Sequence, residues 1–314
     1  MDLHTRNTGI TIGPKKDSDF VFGDGNISHV NNEADWSKYL SEPEPQSILR
    51  LDTMGCASFS AINSIETQIN WMWDTGKLPT ATKAWLLASG FVQAGRLNAS
   101  DRFTAKDSKT TIQGNSMTNV GDSLRKNGLL PEIDLPMISD QGSRDANWRE
   151  YYKELPQPLK DKAKEFLTYF SIKYHWISYD EKTTEIDALD KALLQAPVQI
   201  AIQTCPPWMD NSAINACSFS SPNHCIMIYD YNQLWKVLDQ YTEYLKTLSH
   251  DYLIPFAMQY IVTPIPQPDS VQPESVFVPS VPLIDSSEIT SKKITLIQLI
   301  LSKMRQLLDL LTKK

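Results

Sequence analysis

The chain has 314 residues and a formal net charge of −7, from 30 Lys+Arg against 37 Asp+Glu. That length holds one or two domains with a sizeable core, and 41% hydrophobic with 21% charged residues and a mean hydropathy of −0.33 is ordinary for a soluble globular protein. The acidic balance, without a long Lys/Arg run, excludes a general nucleic-acid binder, and four cysteines are too few to staple a chain of this size.

The opening Met1-Asp2-Leu3-His4-Thr5-Arg6 has no apolar segment behind it, so no secretory signal is expected. The aliphatic run Leu299 to Leu301 is far too short to cross a bilayer. The expectation is a cytoplasmic or particle-associated protein with no transmembrane segment.

Residues 1–45 read as a mixed, polar N-terminal arm with a turn at Gly23-Asp24-Gly25 and anchors at Trp36 and Tyr39. Glu42-Pro43-Glu44-Pro45 is extended, because each proline disfavours helix at itself and at the residue before it. From Ser58 the apolar residues Phe59, Ile62, Ile65, Ile69 and Met72 recur at spacings of three and four, which predicts a helix ending before Gly76. A second helical pattern runs from Thr80 to Ala94. Asn98 to Thr118, rich in Ser, Thr, Asn, Asp and Gly, reads as a long surface loop over the helical half, with Asp101 and Arg102 as a solvated ion pair. Helices follow at Asn119–Lys126, closed by Asn127-Gly128, then at Pro156–Tyr169 and Glu185–Gln195. After Ala196-Pro197 the period changes to two. Val198–Ile202, Cys225–Tyr229 and Trp235–Leu238 predict strands, and Tyr260–Val262 is expected to close the sheet. Helices first and strands second predict an α+β fold with segregated halves over residues 46–263.

Six prolines between Thr263 and Pro282 predict an extended linker, placed at 264–290. Beyond it, in 291–314, Ile294, Ile297, Leu301, Met304, Leu308 and Leu311 alternate spacings of three and four. They predict an amphipathic helix for self-association or docking on an assembly.

Three polar residues stand where packing does not require them. Cys56 follows Gly55 at the start of the long helix, where the helix dipole and free N–H groups favour a thiolate and an adjacent oxyanion. His224 begins a strand and suits a general base. Asp239, at the end of the next strand, suits the group that fixes the imidazole tautomer. Singly, each also reads as ordinary structure: a buried thiol, a strand-edge histidine, a turn aspartate. No cofactor fingerprint and no metal-ligand spacing is found, since Cys205, Cys217 and Cys225 form no CxxC pair and His250 has no partner at ligand spacing.

Together these stretches resemble the papain-like cysteine peptidases. Cys56-Ala57-Ser58-Phe59-Ser60-Ala61-Ile62-Asn63-Ser64-Ile65-Glu66 is similar to the family's Cys-Trp-Ala-Phe-Ser helix with its apolar-x-Glu end. Asn223-His224-Cys225-Ile226-Met227-Ile228-Tyr229-Asp230-Tyr231 resembles Asn-His-Ala-Val-x-x-x-Gly-Tyr. Trp235-Lys236-Val237-Leu238-Asp239-Gln240-Tyr241 resembles Trp-x-x-Lys-Asn-Ser-Trp, and Ala196-Pro197-Val198-Gln199-Ile200-Ala201-Ile202 resembles Gly-Pro-Val-x-Val-Ala-Ile. The matches cover roughly Gln46 to Val262. They imply a two-lobed papain-like fold and an endopeptidase on protein or peptide substrates, with Cys56 as nucleophile, His224 as base and Asp239 in place of the orienting Asn.

The departures are specific. Ala57 replaces the family's Trp, and Arg50 stands six residues before the cysteine, where the oxyanion Gln belongs. Gln46 serves that role if the loop bulges, whereas Asp52 is nearer but repels an oxyanion when ionised. The separation of Cys56 and His224 exceeds the roughly 130–150 residues usual in papain relatives. Phe22-Gly23-Asp24-Gly25, Asp35-Trp36, Asp52-Thr53-Met54, Ser100-Asp101-Arg102-Phe103 and Gly114-Asn115-Ser116 resemble divergent bacteriophage and bacterial forms. Two rival readings stay open. One is a transglutaminase-like or cell-wall amidase thiol enzyme, and the other is a papain-like scaffold kept as a virion or tail component.

Overall fold

The computed structural model describes residues 9–11, 20–21, 31, 34–48, 50–177, 184–205, 208, 214, 221–241 and 243–267. The greater part of the linker and the whole C-terminal amphipathic segment of the sequence reading lie outside the described residues.

Two short hairpin strands, β2 (Ser47–Ile48) and β3 (Leu51–Asp52), follow β1 (Phe20–Val21) and lead into the long helix α1 (Cys56–Asp74). Next come α2 (Thr80–Ala88), the hairpin β4 (Val92–Gln93) and β5 (Arg96–Leu97), α3 (Asp101–Asp107), α4 (Met117–Asn127), α5 (Arg144–Tyr151) and α6 (Gln157–Tyr169). The sheet half contains β6 (Phe170–Ile177), α7 (Glu185–Leu193), β7 (Val198–Ile202), β8 (His224–Tyr231), β9 (Trp235–Leu238), β10 (Leu245–Leu248) and β11 (Phe256–Pro264). Seven strands form one sheet in the order β1-β6-β11-β7-β8-β9-β10, antiparallel except for β1 on β6. Helices α1–α6 precede β6–β11, which make up most of the large sheet, so the α+β reading holds. Among the described residues, no helix is long and apolar enough to cross a membrane.

The helix α1 is the mast of the molecule. All of its residues from Cys56 to Met72 are buried, which an amphipathic surface helix never shows. It packs on α3 and α4 on one side and on β7, β8 and β11 on the other. Several of its buried polar side chains are satisfied by neighbouring elements. Ser64 Oγ donates to Pro197 O at 3.0 Å, and Gln68 donates to Tyr260 O at 3.0 Å and accepts from Val262 N at 3.1 Å. Trp36, fully buried, stacks edge-on against Trp71 at 5.5 Å and donates to Leu193 O at 2.7 Å. This part of the N-terminal arm is therefore core.

Several expectations are corrected. The stretch 98–118 is not a surface loop: it carries α3 and the start of α4, and most of it is buried. Its Ser and Asn residues are caps and ties. Ser100 Oγ accepts from Phe103 N at 3.1 Å and Ser116 Oγ from Asn119 N at 3.1 Å, while Asn115 Nδ2 donates to Ser108 O at 2.9 Å. Asp101 and Arg102 are likewise buried, with Arg102 tied to Tyr151 O at 3.0 Å and to Glu150 Oε1 at 3.2 Å. The second helix stops at Ala88, because Gly90 takes a left-handed φ of 87° and the chain turns into β4. The strand containing Tyr260–Val262 does not close the sheet but lies inside it, between β6 and β7.

Candidate active site

Cys56 is the first residue of α1 and is fully buried. Gly55 O accepts from Ser58 N at 2.8 Å and from Phe59 N at 3.0 Å, which starts the helix without a side-chain cap. The N–H groups at the head of the helix therefore point past the sulfur without intrahelical acceptors. A side chain at Gly55 would meet Thr53 Oγ1 at 3.0 Å and the Phe59 ring at 3.1 Å, so the approach to the nucleophile position is tight.

His224 and Asp239 come from adjacent strands. The antiparallel register Met227↔Leu238 sets the residue after β9 beside the head of β8. His224 Nε2 lies 2.7 Å from Asp239 Oδ1, both side chains fully buried. With Nε2 taken by the carboxylate, the other ring nitrogen is left for the hydrogen bond that His224 makes with Cys56. Trp208 meets the imidazole edge-on at 5.9 Å, and the Tyr241 ring lies 5.3 Å from it.

Asp239 is held from four sides. Besides His224, it accepts from Gln240 N at 2.6 Å, from Trp208 Nε1 at 2.9 Å and from Lys246 Nζ at 3.0 Å. Burial raises its pKa, but the imidazolium and ammonium beside it outweigh that and bring it down to about 2. Burial lowers the pKa of His224, and the Asp239 charge and hydrogen bond overcome this to lift it to about 9. For Cys56, burial pushes the thiol up. The hydrogen bonds from Cys225 and His224, with the imidazolium charge, bring it down to about 6. Between those two values the pair is thiolate and imidazolium.

Gln46 reaches the same place by a hairpin. Ser47 pairs with Asp52 across β2 and β3, Thr53 N donates to Gln46 O at 3.2 Å, and Gln46 N donates to Gln240 O at 2.9 Å. The four-residue shift of the glutamine is thus absorbed by the β2–β3 turn. Gln46 Nε2 donates to Asp52 Oδ1 and to Tyr241 Oη, each at 3.0 Å, and Tyr241 Oη donates to Asp52 Oδ2 at 2.8 Å. Asp52 also accepts from Met54 N at 3.0 Å, so its carboxylate is spent on donors. Arg50, at the tip, points outward and pairs with Asp140. Nothing about it disturbs the site.

The described N-terminal residues also come here. Asn115 N donates to Gly9 O at 2.7 Å and Thr11 N donates to Asn115 O at 2.7 Å, a parallel strand pairing. Ile10 is buried and lines an apolar pocket with Met117, Trp176, Ala201 and Phe256. A Cβ on Gly9 would sit 2.2 Å from Met54 O, so this strand lies against the segment leading into Cys56.

Lys246 and Trp208 were not legible as site residues. A lysine between Leu245 and Leu248 reads as solvent-facing, yet the register of β10 buries Lys246 and leaves Leu245 54% exposed. Among the described residues no group of His, Cys, Asp and Glu is arranged to hold a metal ion. Cys56 and Cys225 are free thiols, and Cys205 is disulfide-bonded.

The helical half, the antiparallel sheet and a Cys–His–Asp line across their junction define the papain-like fold. Among solved structures the chain is similar to xylellain, a cysteine protease from Xylella fastidiosa, with a TM-score of 0.55 at 13% identity over 83% of this chain and 97% of that one. It is also similar to digestive procathepsins L2 and L3 of Tenebrio molitor larval midgut. For L2 the TM-score is 0.53 at 12% identity, over 82% of this chain and 79% of that one. For L3 it is 0.51 at 15% identity, over 81% and 76%. No protein-family model matches the chain, and no curated protein is similar to it in sequence.

Proposed function

We propose that the chain is a cysteine peptidase acting through an acyl-enzyme on Cys56. The observation that carries this reading is the division of the His224 ring between Asp239 Oδ1, at 2.7 Å, and Cys56. In this reading the thiolate attacks the scissile carbonyl, and the new C–S bond forms as the carbonyl electrons move to oxygen. The head of α1 supplies N–H groups to that oxyanion, and Gln46 supplies its amide once it releases Asp52 or Tyr241. The imidazolium then gives its proton to the leaving amine, and water, deprotonated by the same imidazole, releases the acyl group.

The docking of Gly9–Thr11 supports an extended peptide as the substrate chain. The backbone of Asn115 pairs with Gly9 O and Thr11 N of this extended chain, and Ile10 between them lines the adjacent apolar pocket. In the same reading, Gly9–Thr11 occupies the place of a substrate chain. The test is cleavage of denatured casein and of a mixed peptide library by the wild type and by Cys56→Ala. Cleavage lost in the variant supports the peptidase. Selective alkylation of Cys56 without any cleavage by the wild type rejects it.

A further inference from the structure

The family's strand has Ala after the histidine, and this chain has Cys225. Cys225 is fully buried on β8, facing Ala201 of β7 in register, and α1 packs directly on β8. Its thiol and its backbone N–H are both hydrogen-bonded to the Cys56 sulfur, and both cysteines are free. Two thiols in contact, one of them carrying an imidazolium partner, are a reactive nucleophile and a resolving group side by side. The second sulfur helps to hold Cys56 as a thiolate, but it forms no covalent bond in the peptidase chemistry, and packing alone would be satisfied by Ala.

We infer that Cys56 and Cys225 form a covalent modification site for peroxides, in which Cys225 resolves oxidised Cys56 into a reversible Cys56–Cys225 disulfide. The Cys56 thiolate attacks one oxygen of a hydroperoxide, the S–O bond forms and the O–O bond breaks. The departing alkoxide or hydroxide takes the proton of His224, leaving the sulfenic acid. The Cys225 sulfur then attacks the Cys56 sulfur, the S–O bond breaks, and hydroxide leaves as water with the Cys225 proton. The peroxide takes two electrons, one from each cysteine. A dithiol returns both to thiols. The ladder thereby stops before the sulfinic acid, which a nucleophile alone would reach irreversibly. Cys56 is fully buried, so peroxide also needs an opening to reach its sulfur, but a far smaller one than a peptide does.

The proposal shares with the peptidase reading only that Cys56 is a reactive thiolate, and its readouts need no substrate. The full chain is treated with hydrogen peroxide near neutral pH, alkylated and digested with pepsin, since no Lys or Arg separates Cys205 from Cys225. The expected result is a peptide joining Cys56 to Cys225, about 2 Da lighter than the sum of its reduced parts. Alkylation of Cys56 falls about tenfold and returns with dithiothreitol, whereas in Cys225→Ala it falls and stays lost, with a gain of about 32 Da at Cys56. Wild-type mapping needs no variant, so it decides the matter even if Cys225→Ala folds poorly. A wild-type Cys56 that goes to the sulfinic acid with no linked peptide overturns the proposal. So does a Cys56 that peroxide leaves unmodified, or recovery by dithiothreitol equal in the two proteins.

Discussion

Lys246 Nζ lies 3.0 Å from Asp239 Oδ2 with both side chains fully buried. The papain-like motif places a neutral Asn where this chain has Asp239, and an unpaired carboxylate there would add a full charge beside the imidazole. The ammonium returns the local sum to neutral, so an Asp–Lys pair stands in for one amide. Removing one member of a buried pair leaves the other charge desolvated, which costs about 3–5 kcal/mol. Asp239→Asn and Lys246→Met should each destabilise by about that much, and the double variant by clearly less than their sum. Urea unfolding of the four proteins measures the coupling, and additive losses would show that the pair does not act as a unit.

The reactivity of Cys56 has a defined pH window. With Cys56 at about 6 and His224 at about 9, iodoacetamide labelling of Cys56 should rise through pH 6, and peptide turnover should fall again above pH 9. The stability linkage has a matching sign. His224 is raised from 6.5 to about 9, so its contribution is full below 6.5 and is lost as pH rises toward 9. Asp239 is lowered from 3.8 to about 2, so its contribution is full above 3.8 and is lost as pH falls toward 2. A labelling profile centred near the free-thiol value of 9 would reject the ion pair.

The strand Gly9–Thr11 should compete with substrate. Gly9 holds a φ of 119° and lies against Met54, so Gly9→Ala both strains the backbone and drives its Cβ into Met54 O. Displacing the strand should raise initial rates on a short peptide several-fold, with the KM falling more than kcat rises. Unchanged kinetics in a folded Gly9→Ala protein would show that the strand does not stand in the substrate's way.

Four carboxyl groups, Glu44, Glu66, Asp101 and Glu132, gather beneath the helical half. Glu66 accepts from Ala99 N at 2.7 Å, and Glu44 shares a hydrogen bond with Asp101. Burial raises all four, and repulsion from neighbouring carboxylates adds to it at Glu66, Asp101 and Glu132, the last to about 8. A raised carboxyl favours folding when protonated. The contribution of Glu132 is therefore full below 4.5 and is lost as pH climbs toward 8. Glu132→Gln should stabilise by about 1 kcal/mol at pH 8 and by nothing at pH 4. A thermal-melt difference of the same size at both values would assign the effect to packing.

The identities at the reaction line were legible in the sequence. A cysteine after glycine at the head of an apolar-periodic helix, a histidine opening a strand and an aspartate ending the next one each carry local signals, because helix starts and period-two runs depend on neighbours in the chain. The segregation of helices from strands followed in the same way. What the sequence misread were segments whose polar residues are satisfied at long range. Ser100 and Arg102 look like loop residues until Leu135 and Tyr151 arrive beside them. Only the tertiary structure decided that Gln46 returns to the site on a hairpin, that Arg50 leaves it, and that Lys246 rather than Leu245 faces inward. Each of these is set by strand register and by partners distant in sequence. Local periodicity carries no information about either, whereas the cost of an unpaired buried charge or amide determines both.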